Sequence, residues 1–149
     1  MKIVAEDSDE APGRDAFRRY FYSHPTMRTS SFCVAETLSA FKNKWLRGRI
    51  EEAQYVTYLG EFFRLGLSRI EIEDFPLLSP LLYSEAKRLI KEHGIDFIDG
   101  LQIVTLLHGR FRGLAGESQS ILITADRGLA AAARAERARV WECTTDPPP

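Results

Sequence analysis

Three carboxylates, those of Glu36, Asp99 and Asp126, stand at positions where they could do chemistry. Asp126 follows the apolar run 121–123 and begins the next helical segment, which in a parallel sheet is the edge where ligands bind. Asp99 lies in the first turn of an apolar helix, where an ionised group is costly unless it is paired, capped or bound to a cation. Glu36 lies on a helix that follows a short strand, beside the apolar stripe of that helix. These side chains are therefore candidate ligands.

Each carboxylate also has a purely structural interpretation. Aspartate suits the N-cap of a helix, so Asp126 can begin its helix with no further role. Asp96 can cap the helix that contains Asp99, with Asp99 stabilised in the first turn by the helix dipole. A glutamate such as Glu36 on a helix is usually solvated. If the acids have only these roles, the chain is an unrelated α/β domain.

The apolar pattern predicts helices that alternate with short strands. Helical spacing predicts helices over 14–23, 32–46, 51–64, 80–93, 97–111 and 127–136. Strands are predicted over 27–30, 69–72, 120–124 and 138–142, and the run 121–123 is typical of a strand covered on both faces. The last strand–helix–strand unit indicates a parallel sheet. We expect a helix-rich α/β fold, with residues 1–143 in one domain and residues 144–149 in a disordered proline-rich tail.

The composition is that of one folded domain. The chain has 149 residues, 44% of them hydrophobic, and a net charge of −1, which leaves room for a local basic face. The two cysteines, Cys33 and Cys143, have no zinc-site or disulfide spacing, as expected in a reducing cytoplasm. The sequence opens without the apolar core of a secretion signal, and no apolar run is long enough to span a bilayer. We expect a cytoplasmic protein without a membrane partner.

Three segments resemble, in order, the motifs of PIN-domain nucleases. Residues 29–38, TSSFCVAETL, are similar to the "TS…AE.L" element and contain Glu36. Residues 98–104, IDGLQIV, look like the "DALhlA" element and contain Asp99. Residues 123–129, ITADRGL, look like the "vTaD..L" element and contain Asp126. Each motif alone is weak, but their order and spacing agree with the family over most of the chain.

The resemblance implies a three-layer α/β/α domain with a central parallel sheet, which holds Mg²⁺ or Mn²⁺ and hydrolyses RNA. Glu36, Asp99 and Asp126 would be the catalytic metal ligands, directly or through water. Thr124 would order a water or a phosphate, unless it is a plain strand-end residue, and Asp96 would be an auxiliary ligand, unless it is the cap. For a toxin of the VapC type, the resemblance also implies an antitoxin partner and a homodimer.

The beginning of the chain departs from the family pattern, which opens with a strand that ends in an acidic ligand. Residues 2–7, KIVAED, align better with the end of the helix that follows this strand, so we expect the strand and its ligand to be missing from the chain. In the rival alignment residues 2–5 are the strand and Glu6 or Asp7 is the ligand. A missing ligand favours an alternative function, a catalytically impaired module that binds RNA or a partner protein without cleavage.

Two helices carry further candidate surfaces. Lys42, Lys44 and Arg47 lie on the helix of Glu36 or just past its end, as a solvated face or as a rim that contacts RNA phosphates. The next helix is rich in aromatic residues, which we expect in the core or, by the resemblance, partly in a dimer or antitoxin interface. These residues are Tyr55, Tyr58, Phe62 and Phe63.

Overall fold

The computed structural model describes residues 1–25, 27–110 and 120–149, and the chain divides into two compact units. The first unit runs from Met1 to Ile72 and the second from Glu73 to Pro147. Within the described residues each unit has several helices and one pair of parallel strands. The helices and parallel strand pairs therefore agree with the predicted helix-rich α/β class.

Besides a short 3-10 helix over Ser8–Glu10, the described residues of the first unit form three α-helices and two short strands. In chain order they are α1 (Arg14–Ser23), β1 (Met27–Thr29), α2 (Ser31–Leu46), α3 (Glu52–Arg69) and β2 (Ile70–Ile72). β1 and β2 pair in parallel, with Met27 opposite Ile70 and Thr29 opposite Ile72. The predicted elements are confirmed, except that α3 continues to Arg69 instead of ending at residue 64, because a single glycine, at position 66, weakens a helix without necessarily ending it.

The core of the first unit is built from apolar and aromatic side chains of the first residues, α1, α2 and α3. Its buried members are Ile3, Val4, Ala5, Phe21, Phe41, Ile50, Tyr58 and Phe62. Trp45 of α2 packs against this cluster and stacks on Tyr55 of α3, with ring centroids 5.0 Å apart. Tyr58 and Phe62 are thus core residues as predicted, whereas Phe63 is exposed because it lies on the outer face of α3.

The opening residues form a helical turn. The amides of Val4 and Ala5 both donate to the carbonyl of Met1, at 3.1 and 3.2 Å. The rival alignment, in which residues 2–5 are a strand, is therefore wrong, because their backbone hydrogen bonds are local. A helical turn is what the preferred alignment predicts for this segment.

The described residues of the second unit form three helices and two strands. They are α4 (Pro80–His93), α5 (Phe97–His108), β3 (Ile121–Thr124), α6 (Arg127–Ala135) and β4 (Arg139–Glu142). β3 and β4 pair in parallel, with Ile121 opposite Arg139 and Thr124 opposite Glu142. The predicted elements are confirmed, although α5 ends at His108 and the predicted end, Phe111, lies outside the described residues.

Two expectations for the second unit need correction. β3 is half-buried along its whole length instead of covered on both faces, and within the described residues it pairs with β4 alone. The tail predicted to be disordered from residue 144 begins with an ordered turn, since Thr144 and Thr145 donate hydrogen bonds to Glu142 and Asp146 accepts one from the Glu142 amide. Trp141, which is 2% exposed, also donates from Nε1 to the carbonyl of Asp146, at 3.1 Å.

No helix within the described ranges is long and apolar enough to cross a membrane.

Candidate functional site

The carboxyl edge of the β3–β4 pair carries Asp126. Its Oδ1 accepts a hydrogen bond from the amide of Leu129 at 2.9 Å, so the predicted role of Asp126 as the N-cap of α6 is confirmed. The side chain is exposed, and the described residues place no hydrogen bond on its second oxygen, Oδ2. Capping thus uses one carboxylate oxygen and leaves the other able to bind a cation.

Thr124, the last residue of β3, holds the backbone of Asp126 in place. The Asp126 amide donates to Thr124 Oγ1 at 3.0 Å, so this hydroxyl acts as an acceptor within the strand-to-helix turn. Its own proton stays available for a further acceptor, such as a water or a phosphate oxygen. Thr124 therefore stabilises the turn beside Asp126, and its auxiliary role stays a prediction.

Glu142 at the end of β4 is a carboxylate that sequence reasoning missed. It lies opposite Thr124 in the parallel pair and is 4% exposed. The hydroxyls of Thr144 and Thr145 donate to its two carboxylate oxygens, and these bonds, with the charge of Arg127, hold the pKa of Glu142 below its ordinary value despite burial. A signal was present in the sequence, because threonines two and three positions after a strand-end glutamate can donate hydrogen bonds to its carboxylate.

Asp96 and Asp99 begin α5 as a capping pair. Asp96 Oδ1 accepts from the Asp99 amide at 2.9 Å, so the cap interpretation of Asp96 is confirmed. Asp99 is half-buried in the first turn, where the helix dipole favours an anion. Asp96 is thus the N-cap of α5, and Asp99 lies in the first turn behind it.

Glu36 lies in the first unit, on the second turn of α2, and its side chain is exposed. The helix begins directly after β1 because Ser30 caps it, accepting from the Cys33 amide at 3.2 Å. The position after β1 that corresponds to Asp126 is thus occupied by Ser30, and Glu36 lies further along the helix.

Lys44 does not fit the predicted basic rim. It is 9% exposed, and its ammonium binds Asp7 at 2.5 Å and Glu10 at 3.1 Å, because α2 turns this side chain toward the acidic segment. Lys42 and Arg47 are exposed, as a rim requires.

The acids at the start of the chain are neutralised by basic side chains. Asp7 pairs with Lys44, and Glu6 pairs with Arg14 at 3.2 Å and Arg18 at 2.6 Å. The two residues that the rival alignment offers as the first ligand are thus already engaged with cations.

A second carboxylate cluster in the second unit has metal-like spacing. Ligand atoms of Glu92, His93 and Glu136 lie within 4.8 Å of one another. The Arg88 guanidinium, however, binds Glu136 through two nitrogens at 2.8 and 3.0 Å and Glu92 at 2.7 Å. Arg88 thus supplies the positive charge that neutralises these carboxylates, and the cluster joins α4 to the end of α6. Sequence reasoning missed this cluster because Glu136 is far from Arg88 in the chain.

The same cluster predicts acid sensitivity. Hydrogen bonds from Arg88 and then His93 lower the pKa of Glu136 to about 2 from 4.5. A lowered pKa contributes stability that is present above pH 4.5 and is lost as the pH falls toward 2. Because the Arg88 side chain is 36% exposed, solvent screening reduces this contribution to about 1–2 kcal/mol.

We expect Glu136→Gln to lower the free energy of unfolding at pH 7 by about that amount and to flatten its dependence on pH between about 5 and 2. Urea denaturation of both chains across this range measures the effect. Glu61→Gln is the matched control, because Glu61 has no ion pair among the described residues. Parallel pH profiles for wild type and Glu136→Gln would contradict the prediction.

Comparisons of the chain with protein-family models, with curated proteins and with solved structures gave no match.

Proposed function

We propose that the chain is a PIN-type endoribonuclease that hydrolyses RNA phosphodiester bonds with Mg²⁺ or Mn²⁺. The observation that carries the proposal is Asp126, an exposed aspartate at the carboxyl edge of a parallel strand pair whose cap uses one oxygen only. Asp99, in the first turn of α5, is a second ligand in this proposal, and Glu36 of the first unit keeps the ligand role only as a prediction from the sequence. The proposal includes the three-layer α/β/α architecture of that family.

The donor chemistry fits a hard divalent cation, because every candidate ligand offers oxygen. Asp126 would bind through Oδ2 and Asp99 through its carboxylate, and Thr124 would orient a water or a phosphate oxygen with its hydroxyl proton. When bound, Mg²⁺ or Mn²⁺ supplies a more acidic water and offsets charge on the phosphate. The exposed Lys42 and Arg47 of the first unit would contact phosphates of the RNA backbone.

As a toxin of the VapC type, the protein would be held inactive by an antitoxin and would form a homodimer. The apolar side chains available for such contacts on α3 are Val56 and Phe63, both exposed. Their burial in a complex would be favourable in proportion to the apolar area removed from water.

A second candidate function is a module of the same fold that binds RNA or a partner protein without cutting. The observation that favours it is the engagement of Glu6 and Asp7 with Arg18 and Lys44, which leaves neither acid free to complete the site. Cleavage of RNA by the purified chain would exclude this function.

The test is cleavage of a fluorogenic single-stranded RNA by the purified chain, with Mn²⁺ and with EDTA. We expect Mn²⁺-dependent cleavage that EDTA abolishes and that Asp99→Asn lowers by at least about 100-fold, because even outer partners of metal ligands cost roughly 10–100-fold when removed. Asp15→Asn, on the exposed side of α1, is the control and should cleave normally. Binding of RNA without cleavage would favour the binding module over the nuclease. Cleavage by Asp99→Asn at the wild-type rate would show that Asp99 is not a metal ligand.

A further inference from the structure

An exposed aromatic ring with a guanidinium held over it lies at the end of α1. The Tyr22 side chain is 46% exposed, and Arg69 Cζ lies 5.6 Å from the centroid of its ring. Arg69 also donates from Nη1 to the carbonyl of Tyr22 at 3.4 Å, which fixes the guanidinium beside the ring. Phe21, which is buried, contacts the Tyr22 ring edge-on at 5.4 Å and supports it from below the surface.

The charge around this ring is positive and uncompensated. Arg19 precedes Tyr22 by one helical turn on α1, so both side chains lie on the same face, and Arg19 is exposed. Within the described part of the chain, neither Arg19 nor Arg69 has an ion pair. The other arginines of α1 differ, since Arg14 and Arg18 are both paired with Glu6.

We propose that Arg19, Tyr22 and Arg69 form a platform on which an unpaired base of single-stranded RNA stacks. The exposed part of the tyrosine ring offers an apolar face for the base, and the two guanidinium groups offer charge to the adjoining phosphates. Arg69 already lies over the ring, so little side-chain freedom is lost on binding. This inference rests on the RNA-binding part of the proposed function and names the substrate class as single-stranded.

The chemistry selects single-stranded RNA over duplex RNA. Bases within a duplex are stacked on each other and present only their edges, so a tyrosine ring cannot stack on them. Stacking on an aromatic side chain accepts any base, because every base has a π-face. The platform therefore predicts a preference for single-stranded over duplex RNA and little preference for the base sequence.

The test is the binding of a fluorescein-labelled oligouridine to the full chain in EDTA, so that no cleavage occurs during the measurement. We expect Tyr22→Leu to weaken binding by roughly tenfold, since stacking of one base on an aromatic side chain contributes about that much. Tyr22→Phe keeps the ring and should bind within about twofold of wild type. Arg19→Gln should reduce the slope of log K against log salt by about 0.7, the value for one phosphate contact on a single strand.

Equal binding by Tyr22→Leu and Tyr22→Phe would overturn the proposal, and so would equal competition by duplex RNA. Absence of any RNA binding by the wild-type chain would overturn it as well. The platform and the nuclease activity can fail independently. Binding that depends on Tyr22, without Mn²⁺-dependent cleavage, would support the platform and contradict the proposed catalytic function. Far-ultraviolet circular dichroism of each variant establishes that the fold is retained.

Discussion

Replacement of Asp126 by asparagine should reduce RNA cleavage by at least about 100-fold and leave the fold intact. Asparagine caps a helix as well as aspartate does, because its side-chain oxygen can accept from the Leu129 amide as Oδ1 does now at 2.9 Å. What the substitution removes is the negative charge on the exposed carboxylate, which the proposed metal ligand needs. The initial rate of Mn²⁺-dependent cleavage and the urea midpoint measure the two effects separately.

Two further variants divide the roles of this aspartate. Asp126→Ala removes the cap as well as the charge, so it should also lower the free energy of unfolding by about 1 kcal/mol. Asp96→Asn repeats the same chemical change at the cap of α5, where Asp96 accepts from Asp99, and should change cleavage little. If Asp126→Asn cleaves RNA at the wild-type rate, Asp126 is a cap and nothing more.

Replacement of Lys44 by methionine should destabilise the chain by about 3–5 kcal/mol, the usual cost of leaving a buried charge without its partner. Within the described residues Lys44 is the sole ion-pair partner of Asp7, whose Oδ2 is buried without a hydrogen bond. Methionine matches the length of lysine but carries no charge, so the Asp7 and Glu10 carboxylates would lose their main cation. Urea denaturation at pH 7 measures the loss.

Lys42→Met is the matched control, because Lys42 is exposed on the same helix and its replacement should cost less than about 0.5 kcal/mol. Adding Asp7→Asn to Lys44→Met should recover part of the loss, since the stranded negative charge is then gone. A loss for Lys44→Met no larger than that for Lys42→Met would contradict the ion pair. Burial opposes the Lys44 charge, but the hydrogen bonds to Asp7 and Glu10 outweigh it and raise the pKa of Lys44, so this stability persists below pH 10.5 and declines above it.

Most bounds of the elements, though not the end of α3, could be predicted from the sequence because their causes are local. Ser30, Asp96 and Asp126 cap the helices that follow them, and each is recognisable from its type and place. The strands 27–30 and 120–124 and the helix 14–23 follow from short-range apolar spacing in the same way. Local patterns therefore account for most of the secondary structure.

The charged pairs could not be predicted, because their partners are distant in the chain. Lys44 was expected on a solvated face, yet it binds residues more than thirty positions earlier. Arg88 and Glu136 are separated by 48 positions, and no periodicity links them. In the candidate site, the residue types and positions of Asp126 and Asp99 could be predicted, but the use of only one Asp126 oxygen in the cap was visible only from the hydrogen bonds.

The two tryptophans of the chain fall one in each compact unit, which gives each unit its own optical reporter. Trp141 is buried with its indole N–H bonded to the carbonyl of Asp146, so its fluorescence emission should be blue-shifted in the native state. The emission should also change if the turn after β4, which contains Asp146, unfolds. Trp45, stacked on Tyr55 at the edge of the first core, lies in a different environment and is a natural acceptor of tyrosine excitation. A pair of single-tryptophan chains would therefore show whether the two units melt together or one before the other.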